Sequence, residues 1–183
     1  PANIRWGAST LEAGDVLLVS GTLGDHGATI LNLREQLGLD GELTSDCAVL
    51  TPLIQKLRDI PGVKALRDAT RGGVNAVVHE FAAASGYGIE LNERDLPVKT
   101  AVRGVCELLG LDALNFANEG KLVIAVQRQA AQQVLARLRA HPLGQDAAII
   151  GEVVERKGVR LAGLYGVKRI LDLPHAEPLP RIC

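Results

Sequence analysis

Apolar positions recur along this chain with two periods. Short apolar runs bounded by turn residues predict strands at Asp15-Val-Leu-Leu-Val-Ser20, Val63-Lys-Ala-Leu-Arg-Asp68, Gly88-Ile-Glu-Leu91 and Leu122-Val-Ile-Ala-Val126. Three more follow at Ala147–Val154, Val159–Ala162 and Val167–Leu171. Between them, apolar residues three and four apart predict helices. Their stripes are Ile30, Leu33, Leu37; then Leu50, Leu53, Ile54, Leu57; then Val74, Val77, Val78, Phe81, Ala82. Two further stripes are Val98, Val102, Val105, Leu109 and Ala131, Val134, Leu135, Leu138. Thr51-Pro52 suits the N-cap and first turn of the second helix, where a missing N–H costs nothing. Strands interleaved with helices and closing in a meander predict an α+β or mixed α/β layer structure.

The pattern ends at residue 173. Pro174, Pro178 and Pro180 fall within seven residues, and each fixes φ and removes a donor. Residues 174–183 are therefore expected to form a mobile, extended arm beyond a folded domain of residues 1–173, rising ~3.1 Å per residue where it is polyproline-like. The arm ends in Cys183. Two accounts of that thiol stand side by side: an incidental cysteine on a frayed terminus, or a sulfur that carries a group into a site.

Composition narrows the class. Of 183 residues, 47% are hydrophobic and only 3% aromatic, which predicts an aliphatic core. Twenty basic against twenty-one acidic residues give a net charge of -1, so nothing points to nucleic acid or a membrane surface. No apolar run approaches the ~18 residues of a membrane span. Cys47, Cys106 and Cys183 are odd in number and widely spaced, which argues against a disulfide framework or a Cys-x-x-Cys metal site and for a reducing, cytoplasmic setting. Cys47 and Cys106 lie beside apolar stripes and are expected to be small core residues.

Three turns carry candidate chemistry. Gly21 to Gly27 leads into a helix that Asp25 could cap; it is a tight turn or, alternatively, a phosphate-facing nest of amides. Asp68-Ala-Thr-Arg-Gly-Gly73 joins a strand to a helix, an arrangement that aims N–H groups at an anion; Thr70 capping is the structural alternative. Arg71 has no packing role on such a turn. Asn118-Glu-Gly-Lys121 precedes a strand and is not a Walker A loop, since Asn115 and Leu122 occupy two of its required positions. Glu119 is a solvated turn residue or a carboxylate placed to move protons.

The terminal Pro180-Arg-Ile-Cys183 resembles the ending of the HypE family of hydrogenase maturation factors, which are carbamoyl dehydratases. Ser20–Gly27, Ser45-Asp-Cys47, Asp68–Gly73 and Ala117–Lys121 match the same family in the same order. The glycine-rich turns are shared with a wider superfamily of ATP-dependent synthetases, while the terminal cysteine is specific to HypE. The resemblance implies the C-terminal domain fold of the aminoimidazole ribonucleotide synthetase superfamily, three-layered α/β/α with a mixed sheet. It also implies that an ATP-binding half precedes the region seen here, which starts at Pro1.

By that resemblance Cys183 receives a carbamoyl group from a HypF-type carbamoyltransferase. ATP with Mg2+, held mostly by the preceding half, phosphorylates the amide oxygen, and loss of phosphate leaves a thiocyanate. The cyano group then passes to a HypC–HypD complex for the NiFe hydrogenase site. Cys183 and Glu119 are the implied catalytic residues; Asp68, Thr70, Arg71, Gly72 and Gly73 are the implied lining of the ATP cleft; no metal ligand is expected in this region. A homodimer is implied as well. The alternatives are another synthetase of the superfamily, or a non-catalytic docking or dimerisation module.

Overall fold

The computed structural model describes residues 4–39 and 43–173. The strands are β1 (Val16–Val19), β2 (Val63–Asp68), β3 (Gly88–Asn92), β4 (Leu122–Val126), β5 (Ala148–Val154), β6 (Val159–Ala162) and β7 (Lys168–Ile170). They form one seven-stranded sheet in the order β2-β4-β1-β5-β3-β6-β7. The β3–β6 pair is parallel, with Ile89 opposite Val159 and Leu91 opposite Leu161, and the other pairs are antiparallel. The sheet is thus mixed, as expected.

Five helices complete the fold: α1 (Asp25–Glu35), α2 (Thr51–Gln55), α3 (Gly73–Ser85), α4 (Thr100–Leu109) and α5 (Ala131–Arg139). Side chains alternate across a strand, so β1 and β4 send residues to both faces. Leu17, Val19, Val123 and Ala125 join Val74, Val77, Val78 and Phe81 of α3 in one core. Val16, Leu18, Leu122, Ile124 and Val126 join Leu53 and Leu57, at and just beyond α2, and Val134 and Leu138 of α5 in a second core. A strand buried on both faces reads as an unbroken apolar run, which is what Leu122–Val126 shows. On β3 and β6 only one face is covered: Ile89, Leu91, Val159 and Leu161 are buried, whereas Glu90 and Arg160 on the other face are partly exposed. The alternation in those sequences records this. A third cluster, of Ala28, Leu31, Val102, Val105 and Phe116, joins α1 to α4.

Two local expectations differ from the structure. The inward face of α1 is Ala28, Leu31 and Asn32, while Leu33 is 65% exposed. The offset arises because buried Asn32 belongs to that face, where its Oδ1 accepts from Leu39 N–H at 3.0 Å. Leu50, not Thr51, is the N-cap of α2, and no side chain caps it.

Candidate active site

The predicted site residues that the structure describes, Asp68, Thr70, Arg71, Gly72, Gly73 and Glu119, lie on turns where β2 ends and β4 begins, beside the end of β1. Antiparallel pairing of both strands with β4 forces this: Val19 lies opposite Val123, and Asp68 opposite Leu122. Ser20, fully buried, accepts the Leu122 N–H on its hydroxyl at 2.9 Å and donates its own N–H to Leu122 O at 3.0 Å. Ala69 N–H donates to Lys121 O at 3.1 Å. The turns after β1 and β2 therefore flank the Asn118–Lys121 turn.

Asn118 ties these turns together. It is 1% exposed. Its Oδ1 accepts from Gly24 N–H at 2.8 Å, and its Nδ2 donates to Phe116 O at 2.9 Å and Ala69 O at 3.2 Å. A buried amide with each group partnered rigidifies its surroundings, whereas removing it would strand several of those partners. Its side chain occupies the amide of Gly24, the left-handed N-cap of α1, and Ala117 O accepts from Gly27 N–H at 3.1 Å. The amides of Gly24 and Gly27 are thus taken by internal bonds, as is that of Leu23, which donates to Pro97 O at 2.9 Å. Asp25 does not cap α1. It is 3% exposed, accepts from the Thr22 hydroxyl and pairs with Lys99 Nζ at 3.1 Å.

The turn before α3 is built differently. Gly72 and Gly73 both take left-handed φ values, 66° and 61°, and no side chain caps the helix. A Cβ on Gly73 would collide with the carbonyl oxygens of Leu114 and Phe116. Thr70 is not the cap; its hydroxyl donates to Asp68 Oδ2. Among the described residues, no acceptor takes the first α3 amides, of Gly73 and Val74. Arg71 is exposed and forms no ion pair or side-chain hydrogen bond among the described residues. Arg71, two residues before Gly73 at the positive end of α3, is exposed, and a helix N-terminus is a place where an anion is stabilised.

Glu119 is exposed on the neighbouring turn, and its N–H donates to Asp46 Oδ1 at 3.0 Å. Lys121 pairs with Asp46 Oδ2 at 3.2 Å, and its methylene stem lies over Gly21, where an added Cβ would come within 3.0 Å of it. A cavity of about 310 Å³ opens beside these groups, lined by Thr22, Asp25, Ser45, Asp46, Cys47, Lys99 and Lys121 among others. His26 Nδ1 lies 2.9 Å from Ser45 Oγ at its margin. Cys47 corrects an expectation: it is exposed, not a core residue. The loop turns its acidic neighbour inward instead, because Asp46 finds an amide and an ammonium there. Cys106 is half-buried, and burial first, with Asp112 adding, pushes its thiol up to about 11.

Sequence reasoning gathered Asp68, Thr70, Arg71, Gly72, Gly73 and Glu119, and the fold brings them to one edge. It quoted Asn118 and Asp46 within matching motifs but gave neither a role, and it passed over Asn75. Asn75, fully buried in the first turn of α3, donates from Nδ2 to Asn115 Oδ1 at 2.8 Å and to Asp172 O at 2.9 Å. It holds the chain just before residue 174 against the same helix end. Cys183 and the expected arm lie outside the described residues. Among the described residues, no three His, Cys, Asp or Glu side chains converge to hold a metal ion.

Comparison with known proteins places this geometry. Residues 12–163 match the family model described as AIR synthase related protein, C-terminal domain. The carbamoyl dehydratase HypE of Escherichia coli K12 is 89% identical over all 183 residues, which cover 54% of that protein. A crystal structure of E. coli HypE superposes with a TM-score of 0.98 at 87% identity, covering 100% of this chain and 57% of that one. A HypE–HypF complex gives 0.88 at 44% identity (92% and 55% covered), and a HypE in complex with ATP gives 0.89 at 35% (94% and 54%). The chain spans about half the length of the curated relatives it matches. Family model, sequence and superposition agree: the chain belongs to the AIR synthase related family as a C-terminal domain, and its likeness within that family is to the HypE proteins.

Proposed function

We propose that this chain forms the substrate-carrying part of an ATP-dependent carbamoyl dehydratase, which turns a cysteine S-carboxamide into a thiocyanate for NiFe hydrogenase maturation. The observation that carries the proposal is an exposed glutamate on a turn that is bonded, through Asn118 and Ala69, to the turn opening α3, which carries an arginine with no partner among the described residues, in a chain that matches a carbamoyl dehydratase along its whole length.

Cys183 is the carrier. Its sulfur takes a carbamoyl group from a HypF-type carbamoyltransferase. The amide oxygen then attacks the γ-phosphorus of ATP; an O–P bond forms, ADP leaves and the nitrogen gives up one proton. In the second step the C–O bond breaks, phosphate departs with its electron pair, the nitrogen loses its second proton and C≡N forms. No oxidant or reductant is needed. An amide oxygen leaves badly and a phosphate leaves well, so ATP supplies the leaving group. Glu119 accepts a proton from the nitrogen, a task that requires a carboxylate within hydrogen-bond reach. The α3 N-terminus, with Gly72, Gly73 and Arg71, stabilises phosphate charge as it develops. Asp68 holds Thr70, so both shape that cleft rather than receive protons. Most nucleotide contacts belong to a preceding half; the residues described here offer Mg2+ no ligand set, and no step is routed through it.

The domain is residues 1–173 and the carrier arm residues 174–183. A HypC–HypD complex receives the cyano group, the working form is a homodimer, and the setting is the cytoplasm. No described helix is long and apolar enough to cross a membrane. The test uses the full-length protein with carbamoyltransferase, carbamoyl phosphate and ATP, read by mass spectrometry of the terminal peptide. Cys183→Ala is expected to abolish the adduct, while Cys47→Ala and Cys106→Ala load normally. Loading that survives Cys183→Ala contradicts the proposal.

A further inference from the structure

We infer that Asp46 is the positioning residue for Glu119, an assignment that rests on Glu119 being the proton acceptor. Asp46 lies in an otherwise partly exposed loop before α2, yet its side chain is only 2% exposed. Its carboxylate is turned to the chain 73 residues away, through one hydrogen bond and one ion pair. Oδ1 accepts the Glu119 N–H at 3.0 Å, and Oδ2 faces the Lys121 ammonium at 3.2 Å. The backbone carbonyl of Asp46 lies so close over Gly120 that no Cβ fits there. One residue thereby grips Glu119, Gly120 and Lys121 in succession. Asn118 fixes the preceding residue from the other side, through Ala69 and Gly24.

The grip has two chemical consequences. A general base works only within a narrow window of distance, and a misplacement of about 1 Å can cost roughly 10²-fold in rate. The Glu119 side chain is exposed and carries no side-chain hydrogen bond among the described residues, so its backbone must supply the placement. Asp46 also occupies Lys121, the adjacent cation, which would otherwise be available to Glu119 and would weaken it as a base. Asp46 touches no reacting atom in this account. It acts through the turn.

The test is single-turnover dehydration of the preloaded S-carboxamide in the full-length protein. Asp46→Ala is expected to slow it about 10- to 100-fold with the KM for ATP and the loading of Cys183 unchanged. Asp46→Asn, which retains the acceptor for the Glu119 N–H, is expected to recover most of that loss. Asp46→Ala combined with Glu119→Gln is expected to be no slower than Glu119→Gln alone, because both changes disable one group. Amide hydrogen exchange in the unmutated protein supplies a readout that needs no variant: the Glu119 N–H exchanges slowly although its residue is exposed. A full-rate Asp46→Ala beside a slow Glu119→Gln overturns the positioning role alone, and a full-rate Glu119→Gln overturns the base as well. An Asn variant as slow as Ala, additive losses, or rapid exchange at the Glu119 amide each overturn the positioning role.

Discussion

Cys47 and Cys106 differ in what surrounds their sulfur atoms. Cys47 is exposed beside the cavity at the sheet edge, whereas Cys106 is half-buried on α4, where burial pushes its thiol up to about 11. The thiolate is the species that alkylates. Iodoacetamide at pH 8 is therefore expected to label Cys47 well before Cys106, and peptide mapping during the time course decides it; equal rates contradict the structure. The same shift sets a pH dependence. A raised folded pKa favours the protonated fold, so this contribution is intact below the unfolded value of 9.0 and is lost as pH rises from there through about 11. The candidate site was only half legible in the sequence. Glu119 and Arg71 stand out as charges on sharp turns. Asp46 and Asn118 do not, because their partners lie 73 and 94 residues away and only folding shows that they are buried. Cys47 reads as buried from its apolar neighbours, yet it is Asp46 that the loop turns inward.

Two glycines separate the constraints on single elements. Gly73 opens α3 at φ 61°, and a Cβ there would strike two backbone carbonyls that cannot swing aside. Gly104 sits inside α4, and a Cβ there would meet nothing within 4 Å. Gly73→Ala should destabilise by about 2–4 kcal/mol, from overpacking plus left-handed strain. Gly104→Ala should stabilise by up to about 1 kcal/mol, because alanine is the better helix former. Chemical denaturation of the two variants checks both signs, and a neutral Gly73→Ala would contradict the close approach of α3 to residues 114–116. Strand limits were legible where the period was clean: β2, β4 and β6 span the residues that the apolar pattern predicts. The α1 stripe was misplaced, because a helix with a buried asparagine and an exposed leucine breaks the hydrophobic rule at two positions.

At the scale of the whole molecule, the sheet is covered on both faces at the β2-β4-β1 end and on one face across β3 and β6. The covered end carries the candidate site where its strands meet the loops. The mixed, layered architecture was legible from the order of strands and helices. The strand order was not: β5 enters between β1 and β3, a long-range pairing that no local pattern encodes. Nor does the sequence reveal that Asn75 holds Asp172 at the N-terminal end of α3, which sets the root of the terminal segment near the site it is proposed to serve. The central claim is that a carboxamide on the Cys183 sulfur is dehydrated at this edge with Glu119 taking the proton. Its most direct test follows the mass of the terminal peptide in full-length Glu119→Gln, resolving carboxamide from thiocyanate over time with ATP present. Glutamine keeps the shape of Glu119 and removes the base, so the carboxamide should form normally and then dehydrate about 10²- to 10⁴-fold more slowly. Thiocyanate appearing at the unmutated rate would contradict the account and leave Glu119 a solvated turn residue.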